Sequence, residues 1–281
     1  MKEYYTPEFK RDNLIAIMTT FKQKCGSDFY FKGEMHPYWE LVCVTEGKIT
    51  VSEDNKVYEL TSGDIIVHRP MEFHKIWVEK APYARILVIS FKTVEDFYPE
   101  LGDGVMKLDL QKITELEEIY TLIKLNFDIK NITVTKKENN NPLAEKITFL
   151  KFELFLLSLL ESNTKADADM HTLSALNYRR IIDTMIENID NNITIEDLAN
   201  QCKFSVSNLK KTFNKYAGGG VMRHFMRLKI KKAMDQLDQG YTATQISRGM
   251  KFSSQNYFSK VFKRETGMLP SEFKKRHKTK Q

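Results

Sequence analysis

The chain has only three cysteines in 281 residues, Cys25, Cys43 and Cys202, which lie far apart and without paired spacing. Neither a disulfide framework nor a zinc finger can organise such a chain, and reduced thiols in a cytoplasmic protein are expected. Long hydrophobic runs are missing too. The most apolar stretch, Ile147 to Leu160, is interrupted by Lys151 and Glu153 and falls short of the ~20 residues a membrane helix needs, so no membrane partner is expected. The N-terminal MKEYYTPEFKRD has no apolar core behind a basic start, which excludes a secretory signal on this pattern. With 42% hydrophobic and 28% charged residues, wholesale disorder and fibrous repeats are also excluded. A chain of this length is long for one core and suits two domains.

Charge is distributed unevenly. Residues 1–176 hold 22 basic and 28 acidic groups, a net −6, whereas residues 177–281 hold 21 basic and 9 acidic groups, a net +12. A basic module of this kind is the electrostatic footprint of a domain that displaces counterions from a phosphate backbone. Charge alone leaves a membrane surface or simple solubility as alternatives.

The first half reads as β and then α. From Phe29 to Phe91 the apolar runs LVCV, KITV, KVYEL, DIIV, HKIWV and RILVISF are β-branched or aromatic and short, which predicts strands. Glu46-Gly47, Asp54-Asn55, Ser62-Gly63-Asp64 and Arg69-Pro70 are read as the turns between them. Many short strands at close spacing point to an antiparallel barrel over about residues 25–95. Leu110, Ile113, Leu116, Tyr120, Ile123 and Phe127 recur three or four apart, predicting a helix over about 110–130. A second helix is predicted over 143–161; it is apolar nearly all round, so burial is expected. The polar run within 162–174 is read as a linker. The expected architecture is therefore mixed α and β in two domains: residues 1–161 as a β-barrel with flanking helices, and 175–281 as an all-α module.

That module carries an internal repeat. Thr194, three residues before Asp197, predicts a helix start; Leu198, Ala199 and Cys202 give its apolar face, and Ser205 suits the cap of a second helix with Leu209 and Phe213 facing inward. Forty-eight residues on, Thr242, Ile246, Ser247, Met250 and Phe252 repeat Thr194, Leu198, Ala199, Cys202 and Phe204. After one inserted residue, Phe258, Phe262 and Gly267 repeat Leu209, Phe213 and Gly218. A duplicated helix-turn-helix is the economical reading. Between the copies, Val221 to Asp238 is an unbroken helical pattern, about 27 Å of strut at ~1.5 Å per residue. Such a strut suits two recognition helices entering successive major grooves roughly 34 Å apart.

The stretch Ala243 to Arg276, with FSSQNYFSKVFKRETGMLPSEFKKR, resembles the C-terminal signature of the AraC/XylS family of transcription regulators. Phe252, Tyr257, Phe258, Phe262, Lys263, Gly267, Pro270 and Phe273 stand where that signature expects them. Lys251 and Lys203 depart from it where glycine is usual, and Lys229 stands where the strut usually carries arginine. The resemblance implies DNA contacts by Ser207, Lys210, Lys211 and Lys215 in the first unit and by Gln255, Asn256, Lys260 and Lys263 in the second. Asn and Gln pair bidentately with adenine and Lys donates to guanine, whereas phosphate contact alone is the simpler role for the lysines.

In the first half, Gly33 to Gly47 resembles the first cupin motif, with His36, Glu40 and Gly47 at the motif spacing; Gly63-Asp64, Pro70 and His74 resemble a looser second motif. On a strand, residues 36, 38 and 40 share a face. His36, Tyr38, Glu40, His74 and Trp77 are therefore expected to line a pocket for a small-molecule effector. Glu34, His36, Glu40 and His74 form a chemically allowed metal set. Because Glu34 replaces the first His of the usual pair, no metal, no cofactor and no catalytic residues are expected. The implied function is a sequence-specific, effector-controlled transcription regulator that binds double-stranded promoter DNA, with RNA polymerase as a possible partner and a homodimer formed through the two flanking helices. Two alternatives stay open: a constitutive regulator whose barrel only dimerises or is packed solid, and a metal-dependent cupin enzyme.

Overall fold

The structure is a computed structural model that describes residues 15–54, 56–79, 81–93, 99–139, 141–162, 165–166 and 168–278. The first half is a curled antiparallel sheet, a half-barrel, built from β1 (Ile15–Gly26), β2 (Tyr30–Glu34), β3 (Trp39–Glu53), β4 (Lys56–Thr61), β5 (Asp64–His68), β6 (His74–Trp77), β7 (Tyr83–Thr93), β8 (Val105–Lys107), β9 (Phe127–Lys130) and β10 (Thr133–Lys136). The main path runs β2-β6-β3-β7-β1-β10-β9, with β4 and β5 also on β3 and β8 on β5. Two helices, α1 (Leu110–Asn126) and α2 (Pro142–Ser162), cover one face.

Strand β3 organises the curl. Residues Trp39 to Gly47 pair with β7, and Lys48 to Glu53 pair with β4. The handover falls after Gly47, and the register with β7 slips just before it, between Val44 and Glu46. Glu46 and Gly47, read from sequence as a turn, instead pair with Arg85 and Ala84 inside one long strand, next to the irregularity at Thr45. Gly47 has φ +77°, and a Cβ there would lie 2.3 Å from the Tyr83 carbonyl oxygen, so both the conformation and the space demand glycine.

Alternation along β3 sorts the cores. Leu41 and Cys43 face the helices, joining Phe152, Phe155, Leu156 and Leu159 of α2 and Leu116, Ile119 and Ile123 of α1. Val42 and Val44 face the concave side with Ile66, Ile76, Ile86 and Val88. Three sequence expectations change here. The sheet begins at Ile15, earlier than the predicted 25. Helix α1 stops at Asn126, because the extended Phe127 opens the β9–β10 hairpin that pairs with β1. And α2 is not buried all round: Leu143, Ile147, Leu150, Leu154 and Leu157 are exposed.

The second half is helical: α3 (Leu173–Glu187), α4 (Ile195–Gln201), α5 (Val206–Tyr216), α6 (Val221–Asp238), α7 (Ala243–Gly249), α8 (Gln255–Thr266) and α9 (Pro270–Lys278). The stretch before α3, read as a linker, is bonded to the half-barrel, with Ala166 N–H donating to Val105 O and Met170 N–H to Val57 O, both at 2.8 Å. No helix of the described residues is long and apolar enough to cross a membrane.

Candidate functional site

The two helix-turn-helix units are built alike. Thr194 caps α4 in a reciprocal capping box with Asp197, and Thr242 caps α7 with Gln245 in the same way; each box satisfies two otherwise orphaned backbone donors. Ser205 accepts from Asn208 N–H to start α5, and Ser254 from Tyr257 N–H to start α8. The inserted residue moves the second cap by one position. Helix α5 buries Leu209, Phe213 and Tyr216, and α8 buries Phe258, Val261 and Phe262.

The opposite faces are solvated. Ser207, Lys210, Lys211 and Lys215 on α5 are exposed, as are Gln255, Asn256, Lys260 and Lys263 on α8. Two of these eight side chains already have a partner: Gln255 Oε1 accepts from the Thr244 hydroxyl at 2.9 Å, and Lys215 Nζ lies 3.5 Å from Glu79 of the half-barrel. This arrangement offers cationic and amide donors on rigid rods, as groove recognition requires.

The units differ in their surroundings. The apolar cluster under α5 includes Val57, Phe73 and Trp77 of the half-barrel, whereas that under α8 is made by α6, α7, α8 and α9. Ser52 Oγ donates to Tyr216 O at 2.5 Å, and the Lys75 ammonium donates to Lys215 O, so strands β3 and β6 hold the last carbonyls of the first recognition helix. Tyr178 donates to Asp54 O, and Lys231 pairs with the Asp54 carboxylate, each at 2.7 Å. Gly218 lies so close that a Cβ would fall 1.8 Å from Lys32 O. His224 is wedged edge-on between Phe73 and Phe213, and burial pushes its pKa down to about 4.

Inside the curl the same strands carry a polar cluster. Ser52 and Lys75 are paired across β3 and β6 and meet the helices, while the next pair, Glu53 and His74, faces the concave side. His36 and Glu40 are buried there. Residues 36–38 lie before β3 rather than on a strand, but His36 stacks on Tyr38 at 3.8 Å, which brings the expected trio together by another route. His36 Nδ1 meets Tyr38 O at 3.0 Å and His74 Nδ1 meets Glu72 O at 3.2 Å. A carbonyl can only accept, so both Nδ1 atoms carry hydrogen and Nε2 is left on the side of Glu40. Glu40 lies 3.5 Å from His36 Nε2 and 3.2 Å from His74 Nε2, yet neither nitrogen is aligned for a hydrogen bond. Burial raises the Glu40 carboxyl, but the neighbouring His36 and His74 outweigh it and hold it well below the usual range.

Trp77, expected in the pocket wall, is elsewhere. Three residues from His74 on one strand, it points to the opposite face and packs on Tyr216, 6.0 Å between ring centroids. Conversely, sequence reasoning missed His68, Glu53 and much of Glu72. His68 stacks on His74 at 4.3 Å and bonds Glu53 through Nδ1 at 2.6 Å; its Nε2 is also unpartnered. Burial raises Glu53 to about 8 and lowers His68 to about 3. Only the period-two alternation of DIIVH and KITVSE with Glu40 could have signalled them. Donor atoms of Glu34, His36, Glu40 and His74, and separately those of Glu53, His68 and Glu72, lie within 4.8 Å of one another.

Residues 19–93 match the model of an AraC-like ligand binding domain, and residues 198–276 match that of a helix-turn-helix domain. The chain is 21% identical over 246 residues to the HTH-type transcriptional activator RhaR of Mannheimia succiniciproducens, covering 86% of each. It is 22% identical to the RhaR of Salmonella dublin, over 97% of this chain and 94% of that protein. Among solved structures, ToxT from Vibrio cholerae O395 is similar with TM-score 0.38 and 16% identity, over 94% of this chain and 98% of that one. A ligand-binding module followed by a duplicated DNA-reading module, matched end to end by curated activators, makes this chain a transcription regulator of the AraC/XylS family rather than an enzyme.

Proposed function

We propose that the chain reads a two-part DNA site with both units at once, under control of an effector held in the half-barrel. Residues 1–161 are the sensing part and 175–281 the reading part. Ser207, Lys210, Lys211, Gln255, Asn256 and Lys260 face base edges; Lys215 and Lys263 contact phosphate. The observation that carries this reading is the sidedness of α5 and α8, whose apolar faces are buried while the polar residues of both remain exposed. Asn256→Ala is expected to cost ~1 to 3 kcal/mol at one base pair, while Lys263→Ala weakens all sequences alike and lowers the salt slope by about one. Binding to single-base operator variants tests both. An equal loss on every variant would remove Asn256 from the base-reading set.

The effector site comprises His36, Tyr38, Glu40 and His74. A buried carboxylate beside imidazole nitrogens without hydrogen-bond partners supports a ligand that brings donors or positive charge. A thermal-shift screen with sugars, organic acids and aromatic compounds tests it. The unpartnered Nε2 atoms also favour a second reading, a divalent cation as the effector; equilibrium dialysis with Zn²⁺ and Co²⁺ separates the two.

The homodimer forms through α2. Leu143, Ile147, Leu150, Leu154 and Leu157 are exposed at alternating spacings of four and three, the seam of a coiled coil. Sedimentation of the full chain is expected to give a dimer, and Leu150→Lys with Leu154→Lys a monomer. RNA polymerase contact follows from where the site lies against a promoter, and transcription in vitro with shifted sites tests it.

A further inference from the structure

We propose that Lys229, assisted by Lys251, fixes the angle and spacing at which the two helix-turn-helix units meet DNA, and is therefore a specificity-determining positioning residue for two-part sites. The proposal rests on the two-headed reading above.

Lys229 lies in the strut α6 and is 1% exposed. Its ammonium donates to Asn191 O and to Met250 O, each at 2.8 Å. Asn191 belongs to the loop that leads into α4 of the first unit, and Met250 closes α7 of the second. One cation thus ties a carbonyl of each unit to the strut between them. The rings of Phe225 and Phe252, centred 5.5 and 5.2 Å from the nitrogen, complete its surroundings. Packing alone does not call for a charge here, since a methionine would fill the same volume without the desolvation cost of a buried ammonium. What the charge adds is direction, because charge-assisted bonds to two carbonyls hold only one relative placement of the units.

Neighbouring residues repeat the tie. Lys232 pairs with Asp190 at 2.8 Å, Lys251 Nζ donates to Asn191 Oδ1 at 2.8 Å, and Asn192 Nδ2 donates to Lys251 O at 2.7 Å. Lys251 has φ +54°, a conformation glycine would adopt without cost. The side chain that glycine would lack is the one bonded to Asn191, which gives this departure from the family pattern a physical use.

The spacing matters because one base pair moves a half-site along the duplex and turns it by about 35°. Two modules joined rigidly in the right register gain affinity from each other, and a loose joint forfeits part of that gain at the preferred spacing. The test starts by selecting sites for the full-length protein from random duplexes. Affinities are then measured on the selected site, on versions with one or two base pairs inserted between the halves, and on a version with one half scrambled. Lys229→Met is expected to bind the scrambled-half duplex within about twofold of wild type, to lose about tenfold or more on the intact site, and to show a flattened dependence on spacing. Lys229→Arg keeps the donors and the spacing dependence. Should Lys229→Met fail to fold, Lys251→Gly serves, since that residue is exposed; a smaller flattening is expected. Equal loss on intact and half-scrambled sites, or an unchanged spacing profile in a folded variant, overturns the proposal. A wild-type selection that returns only single halves removes the two-headed reading itself, and the proposal with it.

Discussion

The two helix-turn-helix units share a sequence pattern and differ in what lies behind them. The first shares its core with the half-barrel through Val57, Phe73 and Trp77; the second closes its core with α6 and α9. Duplication therefore produced two readers of which one is directly bonded to the sensing half. A change in the half-barrel reaches α5 directly through Ser52, Lys75 and Trp77, and reaches α8 through the strut and the Asn191, Asn192 and Lys251 contacts.

The largest test of that contrast is in the cores. Phe213→Ala and Phe262→Ala remove equivalent fully buried rings and should each cost about 3 to 5 kcal/mol. The fluorescence of Trp77, packed on Tyr216, should respond to the first and stay silent to the second. A response to both would mean that the units unfold as one body with the half-barrel.

The paired glycines sharpen it further. Gly218→Ala drives a methyl into Lys32 O and should cost up to about 3 kcal/mol, with loosening of the docked face seen by hydrogen exchange. Gly267, its repeat partner, has φ +80° and open space around it, so Gly267→Ala should cost only ~1 kcal/mol of backbone strain. The same letter serves close approach in one unit and a left-handed cap in the other.

Acid should separate the units as well. Burial holds His224 near 4 in the folded state, against 6.5 for a free imidazole. The unfolded chain therefore takes up a proton first as pH falls below 6.5, and stability drops until about pH 4. By pH 5 the loss should be about 2 kcal/mol, read from urea midpoints. His224→Leu should remove this component of the pH dependence. The smallest effect expected is from Asp54→Ala, which breaks the ion pair with Lys231 of the strut at about 0.5 kcal/mol, with the docked face loosened and the second unit unchanged.

How much of this was legible depended on whether the determinants were local. The strut Val221–Asp238 and the caps Thr194, Ser205 and Thr242 sit where the sequence puts them, because capping and helical period are written within a few residues. Strand β1 went unread because its partners, β7 and β10, lie far along the chain; the β9–β10 hairpin is local, but Phe127 at its start continues the three-and-four spacing of α1 and so reads as helix. Glu46-Gly47 reads as a turn because a glycine at positive φ serves a turn and an irregular strand alike. In the half-barrel, His36, Glu40 and His74 come together at motif spacing, but His68 and Glu53 join them through cross-strand register alone. Trp77 was misplaced by treating nearness to His74 in sequence as nearness in space. The exposed stripe of α2 shows why all-round apolarity does not by itself mean burial within one chain.

Lys215 sits at the end of the first recognition helix, within 3.5 Å of Glu79 on the sensing half. On the proposed reading Lys215 turns toward a backbone phosphate, and to do so it must leave that carboxylate, so one lysine would serve two acceptors in alternation. By reciprocity, whatever tightens the grip of the sensing half on this helix end would then weaken its hold on the duplex by the same factor, and an occupied operator would loosen the grip in return.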